Sequence, residues 1–354
     1  MKVLIVGPSP TKSKGGMATV IGNQLTDKEL NSKYDISMHA SFVDGNKIWR
    51  VVYSIFAYLF FLRKRKKYDL FHIHVASYGS TFRKRHYLNA IKKAKKKAIV
   101  HIHGAEYLVF FNQLNSNRKK LVKDFLNCAD MVIALSDDWK NKFEKTFDIN
   151  NCHSLNNGID TDKYENAVSD LEEHKNMFLA MGRLGERKGT YDLLDAMEIA
   201  IKENPNIKLF LAGDGDIDKV NRLINEKKLE KNVEVVGWLG FDKKIELLKQ
   251  SSTVVLPSYN EGLPMAILEG MAAGKAIISS TVGAIPEVVK KQNGILIKAG
   301  DVNALSDALT KCSTDVEMIN QMSKNNIKKI DQEFSLKNMH KKLDEYYQLV
   351  SKES

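Results

Sequence analysis

The stretch SYNEGLPMAILEGMAAGKAIISS, Ser258 to Ser280, holds two glutamates eight positions apart, Glu261 and Glu269. Pro264 lies between them, where a helix can begin with proline at its first position. The backbone N–H groups of Gly262, Leu263 and Met265 then stand near a helix start, a place that favours phosphate oxygens; Pro264 itself has no N–H to give. Glu269 falls about 7.5 Å further along the axis, and its acceptor-only oxygens suit a pair of hydroxyls. Glu261 precedes the helix and projects past the phosphate. One carboxylate on each side of a diphosphate matches a nucleotide-sugar, ribose on one side and hexose on the other. A metal-binding carboxylate pair is the rival reading. A helix-start glutamate with a second surface glutamate is the bland one.

Other residues could serve the same chemistry. GRLGERKG, Gly182 to Gly189, sets Arg183 and Lys188 five apart across a turn. Arg as a fork and Lys as a point charge suit a diphosphate, although either alone reads as surface charge. Gly15 and Gly16 directly precede a helical pattern, where glycines let the backbone approach a phosphate. They form neither GxGxxG nor a P-loop, and a plain loop pair reads equally well. HIH occurs twice, at His72/His74 and His101/His103. Period two puts each pair on one strand face. A four-histidine metal site is conceivable, but no Asp or Glu on the same strands completes a usual ligand set, so satisfied core histidines read better. His103 differs: Gly104 follows it at the strand's end, where its ring could reach a cleft.

Positioning these residues takes strands and helices in alternation. KVLIVG (Lys2–Gly7), LFHIHVAS (Leu70–Ser77), AIVHIHG (Ala98–Gly104) and DMVIALS (Asp130–Ser136) read as strands with helices between them. The pattern restarts with MFLAMGR (Met177–Arg183), KLFLAGDG (Lys208–Gly215), VEVVGWL (Val233–Leu239), STVVLPS (Ser252–Ser258), KAIISS (Lys275–Ser280) and NGILIKAG (Asn293–Gly300). Near-continuous apolar strands separated by helices imply parallel sheets covered on both faces. The polar, turn-rich stretch Ser154–Asn176 reads as the junction. The expectation is an α/β chain of two Rossmann-like, doubly wound domains facing a cleft: residues 1–160, residues 161–335, and a last helix within 336–354 that packs back on the first domain. In such sheets ligands bind beyond the carboxyl ends of the strands, where the candidate residues lie.

The chain of 354 residues suits two domains, and its 43% hydrophobic and 27% charged residues are ordinary for a soluble globular protein. Cys128, Cys152 and Cys312 lie far apart, which disfavours a disulfide framework or a zinc site and suits a reducing cytoplasm. The start lacks the apolar length of a signal peptide. The net charge of +11 is uneven: residues 1–170 hold 28 Lys and Arg against 16 Asp and Glu, +12, leaving −1 for the rest. The basic runs are RKRKK (Arg63–Lys67), RKR (Arg83–Arg85) and KKAKKK (Lys92–Lys97). Solvated helix faces are one reading; a surface for anionic lipid or nucleic acid is the other. IWRVVYSIFAYLFFL (Ile48–Leu62) runs straight into the first basic run. It is too short to span a bilayer and reads as a buried core helix or as an interfacial helix with a basic flank. No aromatic-studded basic face of the RNA-binding kind appears, so nucleic acid is not an expected partner.

EGLPMAILE, Glu261 to Glu269, resembles the E-x7-E signature of retaining glycosyltransferase family 4. GRLGERKG, LAGDGD, GWLG and NGILI around it, and GG, HIHG, ALS and NGID in the first half, resemble that family in order and spacing. The resemblance covers nearly the whole chain and is most specific from Met177 to Ile297. It implies the GT-B fold with the donor held mainly by the C-terminal domain. It also implies roles. Arg183 and Lys188 would bind the donor diphosphate, Glu269 the ribose, and Glu261 the hexose hydroxyls near the anomeric carbon. Gly15 and Gly16 would approach the donor phosphate, His103 would sit near the transferred sugar, and Gly262, Leu263, Pro264 and Met265 would line the sugar pocket. The family is metal-independent, so the expectation is no metal and no cofactor.

The implied reaction retains anomeric configuration. The two close carboxylates of a retaining glycosidase are not visible, which favours front-face attack over double displacement. Domain closure would limit donor hydrolysis. The expected donor is a UDP-sugar and the expected acceptor a saccharide, lipid-linked, at the inner face of the cell membrane, in capsule or exopolysaccharide synthesis. The alternatives are a non-hydrolysing nucleotide-sugar epimerase and a non-catalytic membrane-associated sugar-binding protein.

Overall fold

The computed structural model describes residues 1–13, 15–104 and 106–352, apart from the side chain of Lys47. Its contacts divide the chain into two units. The N-terminal unit is Met1–Gly158 with the segment from Leu336 onward; the C-terminal unit is Ile159–Ser335. Residues 353 and 354, at the end of the last expected segment, lie outside the described residues.

The N-terminal unit contains one parallel sheet of six strands: β1 (Lys2–Pro8), β2 (Asp35–Phe42), β3 (Leu70–Val75), β4 (Lys97–Ile102), β5 (Met131–Ala134) and β6 (Cys152–Ser154). The spatial order is β2-β1-β3-β4-β5-β6. All six residues of β3 are buried, as a central parallel strand requires. Two strands escaped the sequence reading. β2 (DISMHASF) is a partly exposed edge strand whose polar residues blur any apolar run. β6 is three residues long, too short to show a period.

Helices cover this sheet. One core joins β1, β3, β4 and β5 to the aromatic rings of Phe61, Tyr87, Phe125 and Phe143. On the other face Met339, Leu343, Tyr347 and Val350 of the last helix, Leu336–Lys352, pack against Val3, Leu70, Ile99 and Met131. Polar bonds hold that helix as well: the Tyr346 hydroxyl donates to Ser154 O at 2.7 Å, and Lys33 pairs with Asp344 at 2.8 Å.

The C-terminal unit contains a second parallel sheet: β7 (Met177–Met181), β8 (Lys208–Ala212), β9 (Val233–Gly237), β10 (Thr253–Leu256), β11 (Ala276–Ser280) and β12 (Gly294–Ile297). Its order is β12-β11-β10-β7-β8-β9. Each sheet therefore has one place where the chain reverses its direction of winding. In the first it lies between β1 and β3, in the second between β7 and β10. The loops leaving those strands diverge there and open a crevice for a ligand.

Within the polar stretch read as the junction, Thr161–Ala167 form a 3-10 helix with Tyr164 buried. The Tyr164 ring meets the Phe241 ring edge-on at 5.8 Å, so this segment is part of the C-terminal unit's packing.

Candidate active site

In the C-terminal unit, the loops after β7 and β10 meet at the reversal point. The turn Glu186–Lys188 follows β7. Its position depends on glycine: Gly189 has φ 66°, and a Cβ there would lie 2.2 Å from Pro257 O, just after β10. No other residue type fits that approach. The loop after β8 comes as close, since a Cβ on Gly213 would stand 1.7 Å from Gly182 O.

This packing brings Lys188 to Glu261. Lys188 Nζ lies 2.5 Å from Glu261 Oε1, and Ser258 Oγ donates to the same oxygen at 2.7 Å. Arg187 stands 3.9 Å from that oxygen and donates to Asn260 O at 2.9 Å. Glu261 is buried and its partner Lys188 is half-buried. Arg183 is exposed, with its Cγ against Gly215. The sequence reading treated the two cations as one diphosphate clamp. In the structure Lys188 is tied to the Glu261 carboxylate, while Arg183 is exposed.

The helix after β10 runs Met265–Ala272. Pro264 is its N-cap, with φ −74° and ψ 126°, so it stands one position earlier than the N1 place expected of it. No side chain caps this helix start, and the first N–H groups keep their capacity for an external acceptor. Gly262, Leu263 and Pro264 are buried in the preceding loop, and Met265 is half-buried. The loop is braced by Gly283, where a Cβ would lie 2.0 Å from Glu261 O, and by Ala284 N donating to Gly262 O at 3.0 Å.

Glu269 is also buried and also paired. Its Oε1 lies 2.6 Å from Lys244 Nζ, on the helix Phe241–Lys249. Burial and the Glu269 carboxylate raise the Tyr164 hydroxyl far above its ordinary pKa. Lys244 and Tyr164 were not found in the sequence. Neither belongs to a motif, and both reach Glu269 only through tertiary packing.

In the N-terminal unit, Gly15 caps the helix Gly16–Thr26, with φ 111° and open space where a Cβ would stand. Gly15 and Gly16 line a cavity of about 420 Å³ with His74, Ser80, Arg83 and Lys84. This cavity sits where the loops after β1 and β3 diverge.

The four strand histidines form one stack. His72 and His74 rings lie 4.3 Å apart, and those of His101 and His103 4.0 Å apart. His74 Nδ1 and His103 Nε2 are 2.9 Å apart; His72 Nε2 and His101 Nδ1 are 3.2 Å apart; His72 Nδ1 meets the Tyr347 hydroxyl at 2.8 Å. Burial holds His72 and His103 down to about 3, and holds His74 and His101 well below the ordinary histidine value. These are neutral imidazoles that alternate as donors and acceptors. His72, His74 and His101 each bring a ring nitrogen within 4.8 Å of the others, close enough for a shared ligand. His103 is half-buried and bonded to His74.

The helix Lys47–Lys64 has one buried face and one exposed face. Asn46 caps it, its side chain accepting from Trp49 N at 2.8 Å. Phe61 is fully buried, but Ile48 is 78% exposed, Phe56 68%, Phe60 57% and Ile55 56%. One face joins the core and the other is apolar and uncovered. Among the described residues no helix is long and apolar enough to cross a membrane.

Comparison with known proteins identifies the family and the fold. Residues 162–329 match the family described as glycosyl transferases group 1, and residues 16–163 match glycosyltransferase family 4. The chain is 29% identical over 314 residues to an Escherichia coli UDP-Gal:alpha-D-GlcNAc-diphosphoundecaprenol alpha-1,3-galactosyltransferase, covering 82% of this chain and 78% of that one. It is 26% identical to the capsular polysaccharide biosynthesis glycosyltransferase CapM of Staphylococcus aureus, over 64% of this chain and 63% of that one. The fold matches that of Anabaena HepE in complex with UDP and glucose, with TM-score 0.79, 18% identity, and coverage of 98% and 99% of the two chains.

Proposed function

This chain is a family 4, group 1 glycosyltransferase with the GT-B fold, and we propose that it moves a hexosyl group from a UDP-sugar to a lipid-linked saccharide at the inner surface of a bacterial membrane, in capsule or exopolysaccharide synthesis. The observation that carries the donor side is the Lys188–Glu261 pair, set at the reversal point of the C-terminal sheet beside an uncapped helix start. One relative named for capsular polysaccharide biosynthesis, and another named for UDP-Gal and an alpha-D-GlcNAc-diphosphoundecaprenol, support the substrate classes.

In this reading Arg183, Lys188 and the helix N-terminus take the charge of the departing diphosphate. Lys188 exchanges one bond to Glu261 for bonds to phosphate oxygens. That frees a Glu261 oxygen to accept from hexose hydroxyls close to the anomeric carbon. Glu269, held by Lys244 and Tyr164, presents its remaining lone pairs to the ribose hydroxyls. The backbone of Gly262 to Met265 lines the sugar pocket. The C1–O bond breaks as the acceptor hydroxyl arrives on the same face, and the configuration is retained.

The uncovered face of the helix Lys47–Lys64 supports the membrane assignment. Its apolar residues end at Arg63, Lys64 and Arg65, a basic flank suited to an anionic leaflet.

The deciding experiment incubates the protein with UDP-, GDP- and ADP-sugars in the presence of EDTA and follows nucleoside diphosphate release and thermal shift. Release and stabilisation by a UDP-sugar, lost in Lys188→Ala, is the expected result. Response to no nucleotide-sugar, or an absolute need for added metal, would sink the donor assignment.

A further inference from the structure

The N-terminal unit contains a second cavity, about 490 Å³, between the helices Lys47–Lys64 and Gly79–Lys93. Its walls include Val51, Ile55, Tyr58 and Leu59, spaced to share one helix face. Phe42 and Arg83 line both this groove and the cavity that holds Gly15, Gly16 and His74, so the two spaces share a wall. At that wall the Arg83 guanidinium lies 5.1 Å from the centre of the Phe42 ring.

The polar groups at this wall lack the partners expected of them. Lys84 is 1% exposed, and among the described residues its amine meets only the Ser41 hydroxyl and, at 5.4 Å, the Tyr87 ring. Among the described residues no carboxylate pairs with Lys84 or Arg83. Arg83 Nε is buried without a hydrogen-bond partner, and so is Nε2 of fully buried His74. Lys275 is another buried lysine bonded to a hydroxyl, but it lines neither cavity. Burial pushes the Lys84 amine well below its ordinary pKa, and an entering anion restores its charge while supplying acceptors to Lys84 and Arg83. The anion that fits must also carry an apolar chain, because the space beyond Arg83 is an apolar groove.

We propose that the two cavities form one acceptor site for a prenyl diphosphate: the isoprenoid chain lies in the groove between the two helices, the diphosphate meets Arg83 and Lys84, and the attached saccharide extends toward His74 and Gly16. This rests on the reading that the acceptor is lipid-linked. It adds where the lipid binds and which cations select it. The groove opens beside the uncovered face of the helix Lys47–Lys64, so a chain can enter it from a membrane surface.

Farnesyl diphosphate is the probe, with farnesol and inorganic diphosphate as its separate halves, titrated calorimetrically into the full chain. The expected result is binding at least tenfold tighter for farnesyl diphosphate than for either half. Arg83→Gln and Ile55→Asp should each weaken it at least tenfold while leaving UDP affinity within twofold. Arg83→Lys, which keeps the charge and loses the fork, should weaken it less. Thermal melts check that the variants fold; Ile55 is exposed, so that variant tests the groove even if Arg83→Gln misfolds. Farnesyl diphosphate binding no tighter than inorganic diphosphate would overturn the proposal. So would an equal loss of UDP binding in Arg83→Gln, which would give these cations to the donor, or no effect of Ile55→Asp. Absence of UDP binding beside intact farnesyl diphosphate binding would overturn the donor reading alone.

Discussion

The two units build similar crevices and fill them with opposite electrostatics. At the C-terminal reversal point each buried carboxylate has its lysine, Glu261 with Lys188 and Glu269 with Lys244. At the N-terminal reversal point Arg83 and Lys84 have no carboxylate partner among the described residues, burial holds Lys84 well below its ordinary pKa, and the histidines beside them are neutral. A site whose charges are already paired can hold its shape empty and exchange one partner for a ligand. A site whose buried basic groups lack carboxylate partners gains both charge and acceptors from an anion. Sheet order differs as well. The C-terminal sheet has the dinucleotide-binding order, whereas the N-terminal sheet reverses one strand earlier.

The largest expected effect tests the paired site. Lys188→Ala should lower kcat by about 10²–10³-fold, the loss typical of removing one charge-stabilising donor. Turnover of a UDP-sugar within tenfold of the parent would mean that Lys188 serves only to pair Glu261. Glu269→Ala leaves Lys244 partly buried without its partner. It should destabilise the C-terminal unit by roughly 3 kcal/mol, as breaking a buried pair does. Amide exchange should then speed up in β7 and β10 and not in β1 or β3.

Gly189→Ala comes next. The new Cβ meets Pro257 O, and the left-handed backbone disfavours it, so a loss on the order of 1–3 kcal/mol is expected in urea unfolding, again confined to the C-terminal unit.

Acid should separate the units in the other direction. His39, His72 and His103 are held near 3 by burial, and His74 and His101 well below the ordinary value of about 6.5. The unfolded chain then binds protons that the folded unit refuses. The stability these groups contribute is therefore complete above pH 6.5 and is lost as pH falls toward 3, by roughly 1.4 kcal/mol per pH unit for each histidine. The C-terminal unit contains only His174. Protection in β3 and β4 should thus collapse at a higher pH than protection in β7 and β8; the reverse order would show that the histidine stack is hydrated.

The smallest effect on stability is expected for Phe56→Asp, within about 0.5 kcal/mol, because the side chain is exposed. The same change should abolish sedimentation with anionic vesicles, and unchanged sedimentation would remove this helix face from membrane binding.

Much of this was legible along the chain. Ten of the twelve strands read directly from apolar runs, because strands buried on both faces in a parallel sheet must be apolar throughout. Glu261, Glu269, Arg183 and Lys188 read from their place after those runs, since ligands gather at strand ends. Pairing between distant side chains has no such signature. Lys188 is 73 residues from Glu261, and nothing in either local pattern records the bond. The orphaned atoms of Arg83 and His74 are equally silent, because a missing partner is a property of the surroundings.

The amino-acid sequence by itself determined the α/β class, the repeated strand-and-helix organisation and the types of residue at the strand ends. Periodicity and local turn chemistry are short-range, and they survive in any one window of the chain. The tertiary structure decided which carboxylate meets which lysine, that the helix Lys47–Lys64 leaves its apolar face uncovered, and that Lys84 is buried with no carboxylate partner among the described residues. Each of these depends on what packs against a residue from elsewhere in the chain, and burial and electrostatics are set by that neighbourhood.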